Sequence, residues 1–391
     1  MTMTMLVARL VRRSSAALAA GALCVFCTSV AMTPAQAAGA KREGTYVGDF
    51  KGWEVVCDNI ERCTAEGTDD SGNGDALVVW LRRDAGADGA ARLQIANDKP
   101  FDGSHMHLDG HPFAVDRSKW TEWKDKDAQT YAYRLATEDP GVIAAWVAAA
   151  RDASTLSFGG TSSASVPKLS LAGLSAALLA VDDKQGRVGT VTAWRRAGNA
   201  PASTVPAAKP ISIIGPAKPV PDLSPAEQHR LIAATFARFH TDVKRCIDDE
   251  GNADDGKAGP PDGSTASALT ADEALVSLGC GDSEAYNPTS LWYRVTRHEP
   301  FSAKPFDFGA QARNGNGDDN DVPPNELTSA GYESSKAELS VFDRARGMGD
   351  CGAMTTWIFD GAKFVMARER FQGECVGLFS DDWPWLYRTK P

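Results

Sequence analysis

Residues Phe342 to Arg388 read FDRARGMGDCGAMTTWIFDGAKFVMARERFQGECVGLFSDDWPWLYR, and this stretch decides how the chain folds. Within it an apolar run, Ala353 to Phe359, meets Asp360-Gly361, and a second run, Lys363 to Phe371, returns. An Asp-Gly pair between two apolar runs predicts a β-hairpin, because a turn that matches strand twist needs positive φ at its central positions. Cys351 and Cys375 then fall at the same open end, where a disulfide would cross-link them. Trp383, Trp385 and Tyr387 close the chain with an aromatic cluster just beyond. The reading is a stapled, aromatic-packed hairpin, which by itself names no chemistry.

At the other end of the chain, Met1 to Ala37 has the three parts of a secretory signal. Arg9, Arg12 and Arg13 form a basic region, Ala16 to Val30 an apolar one, and Ala35-Gln36-Ala37 or Gln36-Ala37-Ala38 a small-residue cleavage site. No later stretch reaches the apolar length of a membrane span. A soluble periplasmic protein, with no span after signal cleavage, is expected. Removing the signal leaves six of eight cysteines. In an oxidising compartment the simplest scheme pairs neighbours: Cys57 with Cys63, Cys246 with Cys280, Cys351 with Cys375. The alternative is that some stay reduced.

The formal charge of -10 becomes more negative without the signal arginines. Such an acidic surface, with no compact basic cluster visible along the sequence, excludes nucleic acid as a partner. Small ligands, metals, cell-wall material and envelope proteins remain.

Between the ends, alternation predicts strands at Phe50 to Cys57, Ala76 to Arg82 and Arg92 to Ala96. Helices are expected at Asp139 to Ala150, entered through Asp-Pro-Gly, and at Leu171 to Val181 with Ser170 as cap. Arg187 to Arg195 alternates as a strand. Asn199 to Pro225, with its prolines, reads as a linker between residues 44–198 and 226–391. Beyond it, Ser224-Pro225 opens a helix over Ala226 to Phe239, and Leu269 to Leu278 reads as another helix capped by Thr270. Leu291 to Thr296 is a further strand. The fold class is α+β, mainly antiparallel sheets with packed helices in two disulfide-supported domains.

Several constellations offer chemistry. His105, His107 and His111, with Asp109 as a fourth ligand, could hold zinc or copper through imidazole nitrogens, and they equally fit exposed histidines on a hairpin. Asn314, Asn316 and Asp318 alternate as calcium ligands do, but Asp319 stands where a calcium loop needs glycine, and a solvated loop explains them too. Asp69 to Asp75 is a weaker calcium loop. Ser165 and Lys168 have S-x-x-K spacing, yet Pro167 breaks the helix that would align them. The G-x-S-x-G, H-E-x-x-H, P-loop and dinucleotide patterns are missing. Paired carboxylates for glycoside hydrolysis stay open, since the fold sets their separation.

The blocks FKGWEVVCDNIERCTAEG, LSLAGLSAALLAVDDKQGRVGTVTAWRRAG, LGCGDSEAYN, GMGDCG, TWIFDGAKF, ECVG and DDWPWLYR resemble, in order, the exported bacterial domain-of-unknown-function family 1176, from about Phe50 to Arg388. W-x-V-x-C and LAGLSAAL also resemble invasion-associated locus B proteins. The first resemblance implies a periplasmic address and transfers no catalytic residue. Asp350, Trp357, Trp383 and Trp385 are the ligand-binding candidates, the tryptophans as flat surfaces if they line a groove and otherwise as core. A noncatalytic periplasmic binding or envelope-interaction protein is the first expectation. A cell-envelope polymer hydrolase using paired carboxylates is the second, and a periplasmic metal-binding protein the third.

Overall fold

The expected hairpin is present in the computed structural model, which describes residues 44–68, 77–159, 167–215, 217–249, 259–281, 286–308 and 323–390. The leader, the Asp69 to Asp75 loop, Ser165 and the calcium-like run from Asn314 lie outside the described residues.

The first sheet has seven antiparallel strands in the order β1-β2-β3-β4-β5-β9-β8. Its first five are β1 (Tyr46–Asp49), β2 (Trp53–Cys57), β3 (Cys63–Gly67), β4 (Val78–Arg83) and β5 (Ala91–Asn97). The small sheet formed by β6 (Met106–Leu108) and β7 (His111–Pro112) comes next, before β8 (Thr121–Lys124) and β9 (Tyr133–Thr137) complete the large one. Helix α1 (Pro140–Ala150) starts as expected, with Asp139 accepting the N–H of Val142 at 2.9 Å. Strands β10 (Thr155–Phe158) and β11 (Lys168–Ser170) add to the small sheet, and α2 (Leu174–Lys184) follows. Trp53, Val55, Leu81, Leu93 and Ile95 on the inner face of the large sheet pack with Trp146 of α1 and Leu178 of α2 into one core.

Helix α2 begins three residues later than expected, and Ser170 is not its cap. Ser170 ends β11, whereas Gly173, at φ +107°, takes the cap position without a side-chain bond. Only glycine fits there, because a Cβ would stand 1.8 Å from the Phe50 carbonyl oxygen. Arg187 to Arg195 is not a strand either. Gly186 and Gly189 turn the chain at positive φ, and buried Asp182 accepts the N–H groups of Trp194 and Arg195 at 2.8 and 2.7 Å. Those backbone donors are therefore spent on one carboxylate and cannot form a ladder.

The proline-rich stretch lies along the strands on both sides of it. Lys209 pairs with Glu61 at 2.9 Å, Ile214 donates to the Lys390 carbonyl at 3.0 Å, and Leu223 is buried. Helix α3 (Pro225–Asp249) runs ten residues past the expected end. Phe239 kinks it (φ −116°, ψ 18°), and Phe239, Val243, Cys246 and Ile247 continue the buried stripe.

A second sheet contains β12 (Thr265–Ala268), β13 (Glu273–Gly279), β14 (Thr289–Thr296), β15 (Ala303–Pro305) and β16 (Glu326–Thr328). Strand β13 replaces the helix expected at Leu269 to Leu278. Ala274 to Leu278 is buried on both faces, and a short apolar run of that kind has no periodicity to separate strand from helix. Thr270 does accept the Glu273 N–H at 3.0 Å, but this bond closes a turn between β12 and β13.

The third large sheet is β17 (Ala330–Glu333), β18 (Glu338–Arg344), β19 (Gly352–Phe359), β20 (Phe364–Gln372) and β21 (Trp385–Arg388), paired in that order. At the β19–β20 turn Gly361 alone of the Asp-Gly pair has positive φ. Asp360 instead folds the loop with its carboxylate, accepting from Ala362 and Lys363 at 2.8 and 2.9 Å. All three expected disulfides are formed. Cys57 and Cys63 face each other across β2 and β3. Replacing both by alanine releases a six-residue closure and is expected to cost about 2 kcal/mol in urea unfolding. An unchanged midpoint would mean that the ladder alone holds this turn.

Candidate functional site

The disulfide Cys57–Cys63 fixes the β2–β3 register, and three residues back along each strand it sets Glu54 directly opposite Glu66. Side chains alternate across a sheet, so both carboxylates leave the Trp53 core and point to the opposite, outer face. Following the pairing outward, one row of this face runs Glu54, Glu66, Trp80, Gln94, Ala136, Thr121. A second row holds Val56, Thr64, Arg82 and Arg92, and a third Val78, Ala96, Arg134 and Trp123.

The carboxyl-terminal sheet covers half of this face. Phe371 and Leu386 pack on Val56, while Leu378 and Trp383 pack with Val78, Trp80 and Ala96. Polar groups in the seam are closely matched. Arg134 forms a two-pronged ion pair with Asp382 at 2.7 and 2.8 Å, and Tyr131 donates to the Val376 carbonyl at 2.7 Å. Asp350 is fully buried, where it accepts the Gly377 N–H at 2.7 Å and two bonds from Arg346. Burial alone would raise its pKa, but the Arg346 hydrogen bonds and the Gly377 amide outweigh it and hold the carboxyl below its usual range.

Glu54 and Glu66 are sealed under that cover, at 3% and 2% exposure. Glu66 accepts from Trp80 Nε1 at 2.8 Å and from Gln372 Nε2 at 2.7 Å. Glu54 accepts the Gly373 N–H at 3.2 Å. Burial pushes Glu66 up to about 7, against the opposing pull of its two donors. Burial raises Glu54 well above the usual range, and the charge of Glu66 adds to the effect. Gln372 keeps a buried Oε1 without a donor among the described residues, so turning its amide would let Oε1 accept a hydrogen bond from a protonated Glu66.

The other half of the face is open. A groove of about 350 Å³ is lined by Arg92, Lys119, Thr121, Trp123 and Glu138. Its floor is the continuation of the Glu66–Trp80 row, and its outer wall is β8, which among the described residues pairs with β9 alone and forms the sheet edge. Arg92 bonds Glu138 at 2.7 Å and sits 5.8 Å from the centre of the half-buried Trp123 ring. Lys119 lies 3.2 Å from Asp139.

The ligand candidates read from the sequence do not form one groove. Trp357 belongs to a core with Leu339 and Phe359, Trp383 fills the seam, and Trp385 stacks under Arg370 at 4.3 Å. His107 and His111 sit on β6 and β7, paired with Pro112 and Leu108, and His107 Nδ1 contacts the His105 carbonyl at 2.7 Å. Asp109 is engaged with the Ser154 and Thr155 amides. Among the described residues, the metal-type ligands that converge are Asp350, Cys351 and Cys375, whose two sulfurs are joined to each other. The Arg82–Arg92 pair and the Trp123 groove went unread in the sequence, although alternation counted from the Cys57–Cys63 pair would have placed them on the face of Glu54 and Glu66.

The architecture defines a disulfide-stapled, antiparallel α+β protein with one sheet face half covered by its own carboxyl-terminal sheet. The chain belongs to the family described as protein of unknown function (DUF1176), whose pattern matches residues 47–390. It is 29% identical over 352 residues to an uncharacterized protein, YpfG, of Escherichia coli strain K12, covering 87% of this chain and 92% of that one. No solved structure matches. Among the described residues no helix is long and apolar enough to cross a membrane.

Proposed function

We propose that this is a noncatalytic periplasmic binding protein that holds an anionic cell-envelope polymer on the open half of the outer sheet face. The observation that carries the reading is the division of that face. The carboxylates suited to acid–base chemistry, Glu54 and Glu66, are closed under Gln372 and Gly373, whereas the open half offers Arg92, Lys119 and an aromatic ring. Flat aromatic surfaces suit the apolar face of a sugar, and arginine suits carboxylate or phosphate oxygens. The hydrolase reading keeps one observation in its favour: two paired carboxylates with raised pKa values do exist in the fold.

Co-sedimentation of the mature protein with purified peptidoglycan sacculi separates the two readings. Saturable binding without release of soluble fragments is expected, and Trp123→Ala is expected to weaken it roughly tenfold. Fragment release that scales with protein and disappears in Glu66→Gln would favour the hydrolase. Failure to co-sediment would count against the polymer reading altogether.

A further inference from the structure

We propose that Arg62, Arg82, Arg92 and Arg388 form a subsite for one oxyanion, a carboxylate or phosphate group, centred on Arg82. The inference rests on the open half of the outer face being the contact surface. Arg82 of β4 stands directly opposite Arg92 of β5, and like charges placed across a ladder repel. Arg62 lies one residue before β3, whose Thr64 pairs with Arg82, and Arg388 of β21 is held at the adjoining β2–β3 turn, where Asn59 Oδ1 accepts its backbone N–H at 2.9 Å; both act electrostatically on Arg82.

Three of the four guanidiniums have carboxylate partners. Arg62 pairs with Asp84, Arg92 with Glu138 at 2.7 Å, and Arg388 with Asp58 at 2.7 Å. Among the described residues Arg82 has no hydrogen-bond or ion-pair partner, though its side chain is half-buried at the rim of the seam. Burial, and then Arg62, Arg92 and Arg388, lower its proton affinity, with Asp84 acting against them.

The local balance is four positive groups against three carboxylates, on a chain whose formal charge is -10. A planar guanidinium with its donors unspent, flanked by three more and partly withdrawn from water, is matched to a planar carboxylate or to a phosphate. The Trp123 groove begins at Arg92, one strand away, so an anionic group at Arg82 could belong to a larger sugar lying over the ring.

Isothermal titration of the mature protein at low ionic strength tests the subsite. The probes are N-acetylmuramic acid for the carboxylate, N-acetylglucosamine 1-phosphate for the phosphate and neutral N-acetylglucosamine as control. One-to-one binding of at least one charged sugar, and none of the neutral one, is expected, and which of the two binds identifies the group. Arg82→Gln is expected to weaken it roughly tenfold or more, and added salt to weaken it further. Arg92→Gln serves as the second variant should the first fail to fold. Identical behaviour of charged and neutral sugars, or wild-type affinity in whichever of the two variants folds, would overturn the proposal. Sacculus binding that survives such a result would leave the broader functional reading standing; loss of both would remove the two together.

Discussion

Asp382→Ala is expected to lower the unfolding free energy by about 3 kcal/mol, because it strands a guanidinium inside the seam. The side chain of Arg134 is 5% exposed, and its two terminal nitrogens both point at Asp382. Its Nε faces Asp125 at 3.3 Å, which offers only part of the lost compensation. Most of the cost comes from the charge left behind. The double variant Asp382→Ala, Arg134→Met should therefore recover much of the loss, since methionine fills the site without a charge. Urea denaturation of the two variants measures both effects. A single-variant loss well under 1 kcal/mol would mean that the ion pair contributes little to holding the sheets together.

The second large effect concerns Glu66 and pH. Its folded pKa, about 7, lies above the usual glutamate value, so the folded protein binds more protons than the unfolded chain between those two values. Stability from this group is complete below the unfolded pKa and is lost as pH rises through the folded one. Glu54 is shifted in the same direction. Between pH 4 and pH 8 the stability of Glu66→Gln relative to the native protein should therefore move about 3 kcal/mol in favour of the variant. Thermal and urea unfolding at four or five pH values would read this difference directly. Parallel curves for the two proteins would show that Glu66 titrates in the seam at its ordinary unfolded value, which contradicts the shift.

Much of the hairpin and all three cysteine pairings were legible in the sequence, for local reasons. Asp360-Gly361 separates two apolar runs, and each cysteine pair is close in sequence. Local signals misled where tertiary packing decides the outcome. Ala274 to Leu278 is equally apolar on both sides, so its fate depends on β12 and β14 lying beside it. Phe239 reads as a helix end because the next residues are polar, yet its ring stacks on Tyr293 at 4.3 Å and the helix resumes past the kink. Asp350 and the tryptophans drew notice as residue types, but Asp350 is spent on Arg346 and the Gly377 amide, and Trp357 and Trp383 on packing. The arginine row was illegible for another reason. Arg62, Arg82, Arg92 and Arg388 are scattered through the chain, and only the ladder and the return of β21 gather them.

Hydroxyl-radical footprinting of the mature protein, with and without sacculi, tests the central claim most directly. Trp123 marks the open groove, while Tyr286 and Met348, at 53% and 63% exposure, are reactive side chains away from it and serve as internal controls. Protection of Trp123 with Tyr286 and Met348 unchanged, and no soluble sugar released, is the predicted result. Protection confined to Tyr286 and Met348, or release of fragments during the incubation, would contradict binding on the open sheet face.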